Sequence, residues 1–212
     1  EGGALTDIVR LFTDDDYQKY KVAKIKNPIV RSFWIHQMAK TGAREKQEMI
    51  PYFAAKFGAF VTNAMMRNII GQTKSAFDFY KVMQEGKILL MNLAKGETGE
   101  INSKLLGMIM VSKLQMAALQ RQKVAKAERR DFFMYIDEFQ NYVTESIEVI
   151  LSEARKYRLG LNIAHQYLAQ LEGSDAKKGA KKVSLKDAIF GNVGSIMCYK
   201  IGAQDSEYMA KE

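Results

Sequence analysis

After Gly86, four compact apolar runs alternate with helical stretches: KILLMNL (87–93), FFMYI (132–136), LGLNIAHQ (159–166) and GSIMCYKIG (194–202). The long stretch EINSKLLGMIMVSKLQMAALQRQKV, the amphipathic SIEVILSEARKYR and the shorter LKDAIFGNV lie between them. This alternation constrains the fold more than any other feature. Parallel strands need crossovers of a dozen or more residues, and helices supply them. The pattern predicts a parallel α/β sheet over 86–212 with right-handed connections. Ligands of such open sheets bind beyond the carboxyl ends of the strands. The polar residues there are Asn92, Asp137 with Glu138, His165 with Gln166, and the stretch after Ile201.

Residues 1–85 have a different texture and read as an all-helical domain. LTDIVRLFT offers Thr6 as a cap, and DDDYQKYKVAKIK places acids first and lysines last, as the helix dipole favours. NPIVRSFWIHQMAK has Pro28 at a first-turn position and apolar residues at helical spacing. AREKQEMIPYFAAKFGAFV predicts a helix kinked or broken near Pro51, followed by TNAMMRNII and by SAFDFYKVMQE, which stops at Gly86. The Met and aromatic stripes read as core.

The chain of 212 residues, 47% hydrophobic and 26% charged, can bury a substantial core. Its single cysteine, Cys198, excludes an internal disulfide and fits a reducing compartment; set in SIMCY, it reads as a buried, inert thiol. The net charge of +8 permits nucleic-acid or acidic-membrane contact without requiring either. Part of that charge lies in AKKGAKKVSLK (176–186), where Lys177, Lys178, Lys181 and Lys182 are either a solvated loop or a nucleic-acid patch. No apolar run approaches the ~18 residues of a membrane helix. The opening EGGALTD carries no initiator Met or signal peptide and the ending EYMAKE stops within a helical pattern, so both ends read as cuts in a longer protein.

Asp137 and Glu138 end an apolar run, which is the Walker B pattern of nucleoside triphosphatases. There the first acid holds Mg²⁺, directly or through water, and the second orients and polarises the attacking water. Two solvated acids ending a strand would look the same. Gln166 adds to the first reading, because it ends the next strand-like run and should lie beside the acids. A glutamine there can bond both the γ-phosphate of ATP and the water nucleophile. His165 has no partner at metal-ligand spacing, and no Cys/His cluster has zinc spacing. Arg155 and Arg158, in SEARKYR, are either cations answering a helix dipole or a finger reaching a neighbouring subunit, with Arg155 the better finger candidate. No G-x-x-x-x-G-K-[ST] stretch occurs, and GETGE (96–100) lacks the lysine and hydroxyl a phosphate cradle needs. A P-loop, if the enzyme has one, is expected upstream of residue 1.

GKILLMNLAKGETGE, FFMYIDEFQNY, LSEARKYRLGLNIAHQYLAQL and DAIFGNVGS, in that order, resemble the C-terminal half of the coupling ATPases of conjugation and type IV secretion. Those ATPases belong with the FtsK/HerA branch of RecA-like P-loop motors. The resemblance covers about 86–212, and residues 1–85 look like the helical insertion of such enzymes. It implies a partial RecA-like core, with Asp137 as the Walker B aspartate that binds Mg²⁺ and the nucleotide. It further implies Glu138 as the catalytic glutamate, Gln166 as the phosphate sensor and Arg155 as a helix arginine facing the next subunit. ATP and Mg²⁺ are the implied cofactors. DNA, a relaxase or secretion-channel proteins are the implied partners, in a homo-hexameric ring on the cytoplasmic side of the inner membrane, tethered through a region outside this chain. Two other readings stay open: a HerA- or FtsK-like translocase of repair or segregation, and a non-catalytic module whose helices dock a secretion substrate.

Overall fold

The computed structural model describes residues 3–143, 147–171 and 185–211. The lysines 177, 178, 181 and 182 lie outside the described residues. The chain forms two compact units, 1–76 and 77–212.

The first unit is helical: α1 (Asp7–Thr13), α2 (Asp15–Ala23), α3 (Pro28–Ser32), α4 (Ala43–Thr62) and α5 (Ala64–Ile70). Local chemistry starts three of them. Asp14 accepts the Tyr17 N–H at 2.9 Å, Asn27 accepts those of Ile29 and Val30 at 2.9 and 3.3 Å, and Asn63 accepts that of Met66 at 3.0 Å. Thr6, expected to cap α1, makes no side-chain cap bond; Asp7 instead accepts the Ala4 N–H at 3.1 Å. Pro28 sits in the first turn of α3, where its missing N–H costs nothing. Beyond α3 the backbone widens into a π-helical turn, Phe33–Gln37, and Trp34 there meets Phe12 of α1 with ring centres 5.7 Å apart. Of the kink or break expected near Pro51, the break does not occur: α4 runs through that residue as one helix. Met38 and Met66 are buried, while Ile29 is 79% exposed.

The second unit contains α6 (Phe79–Gln84), α7 (Lys95–Thr98), α8 (Glu100–Gln120), β1 (Phe132–Ile136), α9 (Ile147–Glu153), β2 (Leu159–Ile163), α10 (Leu185–Phe190) and α11 (Ala203–Met209). Strands β1 and β2 pair in parallel, with Phe132 opposite Leu159 and Ile136 opposite Ile163. α9 and a short 3-10 turn, Ala154–Tyr157, make the crossover. The unit is thus mixed helix and parallel sheet, as an α/β reading requires. The strand period of two sorts the side chains of β1. Met134 and Ile136 are buried with Val111, Leu114 and Ala118 of α8 and with Ile147 and Ile150 of α9, whereas Phe133 and Tyr135 point away and are exposed.

Two of the four expected strands are not formed. Residues 87–94 and 195–201 have no ladder among the described residues, and Ile88, Leu90, Met197 and Tyr199 are exposed. Apolar content makes a run fit for a sheet, but a strand exists only with a backbone partner about 4.8 Å away. A cavity of about 890 Å³ separates 87–93 from β1; α8 contributes Gly107, Met110 and Leu114 to its wall. The same absence of pairing corrects the expectation for Cys198, which is exposed rather than buried.

The amino ends of the two strands are held by an arginine. Arg121, just past α8, is fully buried. Its guanidinium donates to Gln84 Oε1 at 2.8 Å, to the carbonyls of Tyr157 and Arg158 at 2.9 and 3.4 Å, and to that of Arg130. Desolvation lowers its pKa from the usual arginine value. Arg129 donates to the Val124 and Lys156 carbonyls at 2.9 and 2.5 Å, tying the same end from outside.

Candidate functional site

The carboxyl ends of β1 and β2 are locked side by side. The Ala164 N–H donates to the Ile136 carbonyl at 2.9 Å, and the Phe139 N–H donates to the Ala164 carbonyl at 2.9 Å. Phe139 is fully buried, so the chain after β1 turns with its next aromatic pinned in the core. The turn is made at Glu138, whose φ of 50° and ψ of 44° lie in the left-handed region. A glutamate there costs roughly 1 kcal/mol or more. Asp137 Oδ1 steadies the turn by accepting the Glu138 N–H at 2.9 Å. From this turn Asp137 is exposed and Glu138 half-buried.

Both oxygens of Glu138 are engaged. Gln166, from the end of β2, donates its amide to Oε1 at 2.6 Å, and Gln140 donates to Oε2 at 2.7 Å. The Gln166 loop has its own supports. Gln170 Oε1 accepts the N–H groups of Gln166 and Tyr167 at 2.9 and 3.2 Å, and Asp205 of α11 accepts the Leu168 N–H at 3.1 Å. Of the residues singled out in the sequence, the structure therefore gathers Asp137, Glu138 and Gln166.

The others lie elsewhere. His165 Nδ1 is buried with no hydrogen-bond partner among the described residues. Asn92 turns inward on its own chain, accepting the Ala94 N–H at 3.1 Å. Arg155 is exposed on the 3-10 turn before β2, with no ion pair among the described residues. It thus precedes the amino end of β2, a five-residue strand whose carboxyl end lies beside the acids that follow β1, a run of about 16 Å. Within one chain Arg155 does not meet Glu138. Arg158 adopts φ 54° and pairs with Asp131 at 3.1 Å.

Gln140 and Gln170 escape sequence reasoning, and Asp205 is reached only as part of the stretch after Ile201. Gln140 follows Glu138 by two residues and Gln170 follows Gln166 by four, so local spacing carries a faint signal for both. Asp205 is 37 residues from the N–H it accepts, and no local pattern announces it.

One Asp137 oxygen takes the Glu138 N–H, and no bond to the other occurs among the described residues. No cluster of three His, Cys, Asp or Glu that could hold a metal occurs among the described residues. One exposed hard oxygen beside a second carboxylate fits Mg²⁺, which keeps several waters and takes one or two carboxylates plus phosphate oxygens.

No curated protein and no solved structure matches the chain. The family model described as "Type IV secretory system Conjugative DNA transfer" matches residues 17–212. With nearly its whole length covered, the chain belongs to the type IV secretory system conjugative DNA transfer family.

Proposed function

We propose that residues 77–212 form the metal-and-water half of an ATP-hydrolysing site in a coupling motor of conjugation or type IV secretion. One observation carries this reading: an acid pair at one strand end, with the amide of the neighbouring parallel strand end resting on the second acid at 2.6 Å. Asp137 would hold Mg²⁺ directly or through water. Bound there, the ion neutralises charge on the phosphates. Glu138 Oε1 orients the attacking water and takes up its proton. Gln166 leaves Oε1 when the γ-phosphate arrives and bonds it, so that the loop held by Gln170 and Asp205 feels whether phosphate is present.

A phosphate-cradling segment is needed besides, and the 212 residues contain no stretch of that pattern. It comes, in this reading, from sequence outside residues 1–212. The cargo is DNA or DNA-linked protein and the working form a ring of six with Arg155 reaching the neighbour. The motor works with a relaxase or channel proteins on the cytoplasmic side of the inner membrane. No helix among the described residues is long and apolar enough to cross a membrane, and the tether is assigned to another region. ATP turnover by the natural full-length protein, with and without Glu138→Gln, tests the reading. Loss of turnover in the variant is expected; a wild type without ATPase activity, or an undiminished variant, sinks it.

The exposed Ile29, Val30 and Phe33 favour a second role, in which the helical unit docks a secretion substrate. Ile29→Asp with Phe33→Asp should then weaken relaxase capture in a nucleotide-independent assay. Undiminished capture removes that role.

A further inference from the structure

We infer that Gln140 is a positioning residue that keeps the Glu138 carboxylate aimed after Gln166 has left it. The inference rests on the hydrolytic reading of Glu138 and goes beyond it, because the two glutamines on this carboxylate are not equivalent. Gln166 is exposed and sits on a loop held by side chains. Gln140 is half-buried and sits on the 3-10 turn Phe139–Asn141, in which the Asn141 N–H donates to the Glu138 carbonyl at 2.9 Å. Its neighbour Phe139 is fully buried and hydrogen-bonded to Ala164. The Gln140 side-chain oxygen Oε1 is buried and makes no hydrogen bond among the described residues. The amide's hydrogen bond at 2.7 Å is thus directed at Glu138 Oε2.

The exposed Gln166 amide can trade Glu138 for phosphate; the half-buried Gln140 amide stays with Oε2. With Gln166 gone, a carboxylate on a strained left-handed turn would swing about its side-chain torsions unless Oε2 stayed bonded. Gln140 leaves Oε1 as the one oxygen free for water. Placement of this kind affects the reacting arrangement and not nucleotide affinity.

The test is made in the full-length protein with Q140M, which keeps volume and loses the donor, and Q140H, which keeps an N–H at similar reach. Q140M should lower kcat roughly 10- to 100-fold with KM and the affinity for a non-hydrolysable ATP analogue unchanged, and Q140H should recover most of the loss. Wild-type kcat in Q140M, a loss lying in KM, or equal values for the two variants overturns the inference while leaving the hydrolytic reading intact. A wild type without turnover instead defeats the hydrolytic reading. Should Q140M fail to fold, NMR decides. The Gln140 side-chain amide proton in the wild-type full-length protein should lie downfield and return in Glu138→Ala, and a proton at the ordinary position overturns the inference whatever the variants do.

Discussion

Gln166 donates its side-chain amide to Glu138 Oε1 at 2.6 Å, across the carboxyl ends of two parallel strands. If the two work as one unit, their mutations will not add. Glu138→Gln alone should lower ATP turnover by roughly 10²- to 10⁴-fold. Gln166→Ala should cost little more when Glu138 is already replaced, giving a coupling on the order of 1 kcal/mol or more in a double-mutant cycle. Strict additivity would mean that the contact has no catalytic consequence.

Gly107 of α8 lies against the Tyr142 ring, and a Cβ at this position would overlap it, with Leu93 close behind. Alanine ordinarily stabilises a helix relative to glycine by roughly 1 kcal/mol. Here Gly107→Ala should instead destabilise by about 1–3 kcal/mol, because Tyr142 is buried and follows the Glu138 turn directly. A urea midpoint at or above that of the wild type would show that the ring can move aside freely.

Arg158 holds φ at 54° just before β2. Arg158→Gly relieves that strain and gives up an exposed ion pair with Asp131, which is worth little. Stability should rise by about 0.5 kcal/mol, seen as a higher melting temperature. A fall instead would assign the Asp131 pair more weight than its exposure suggests.

Asp14 begins α2 with a carboxyl pKa held below the usual 3.8, first by the Tyr17 N–H and then by the Arg10 guanidinium. A depressed carboxylate stabilises the fold when ionised. Its contribution is complete above the unfolded-state pKa and fades as pH falls through the folded one. Asp14→Asn keeps the cap but not the titration. Wild type should therefore exceed the variant in urea midpoint at pH 7, and the difference should vanish near pH 2. A difference independent of pH would assign the effect to capping geometry alone.

Much of the site could be read in advance. The runs FFMYI and LGLNI do pair in parallel, and strand-end adjacency places Gln166 beside Glu138, because both are consequences of local pattern and one crossover. The outer runs 87–93 and 195–201 carry the same apolar signal, yet they form no strand among the described residues. Periodicity reports what a segment can do; a ladder also needs a neighbour. Cys198 is exposed for the same reason: the apolar run SIMCY suggests burial, but the segment finds no ladder to cover it. The stretch after Ile201 is legible as a strand-end region, but the partner of its Asp205 is not, because that contact spans 37 residues and depends on how α11 packs.

Arg121 has a consequence for how this protein can change. Its guanidinium serves Gln84 and the carbonyls of Tyr157, Arg158 and Arg130, from a position without solvent exposure. Lysine offers one nitrogen where a planar fork is required, and an apolar residue leaves several acceptors dry. Arg121→Met should cost about 3 kcal/mol or more, measurable as a lowered urea midpoint. No single substitution satisfies all four acceptors, so every mutational path away from arginine here begins with a step down in stability. Sequence drift must pass around this residue, through the exposed positions of the outer runs, where exchange is cheap.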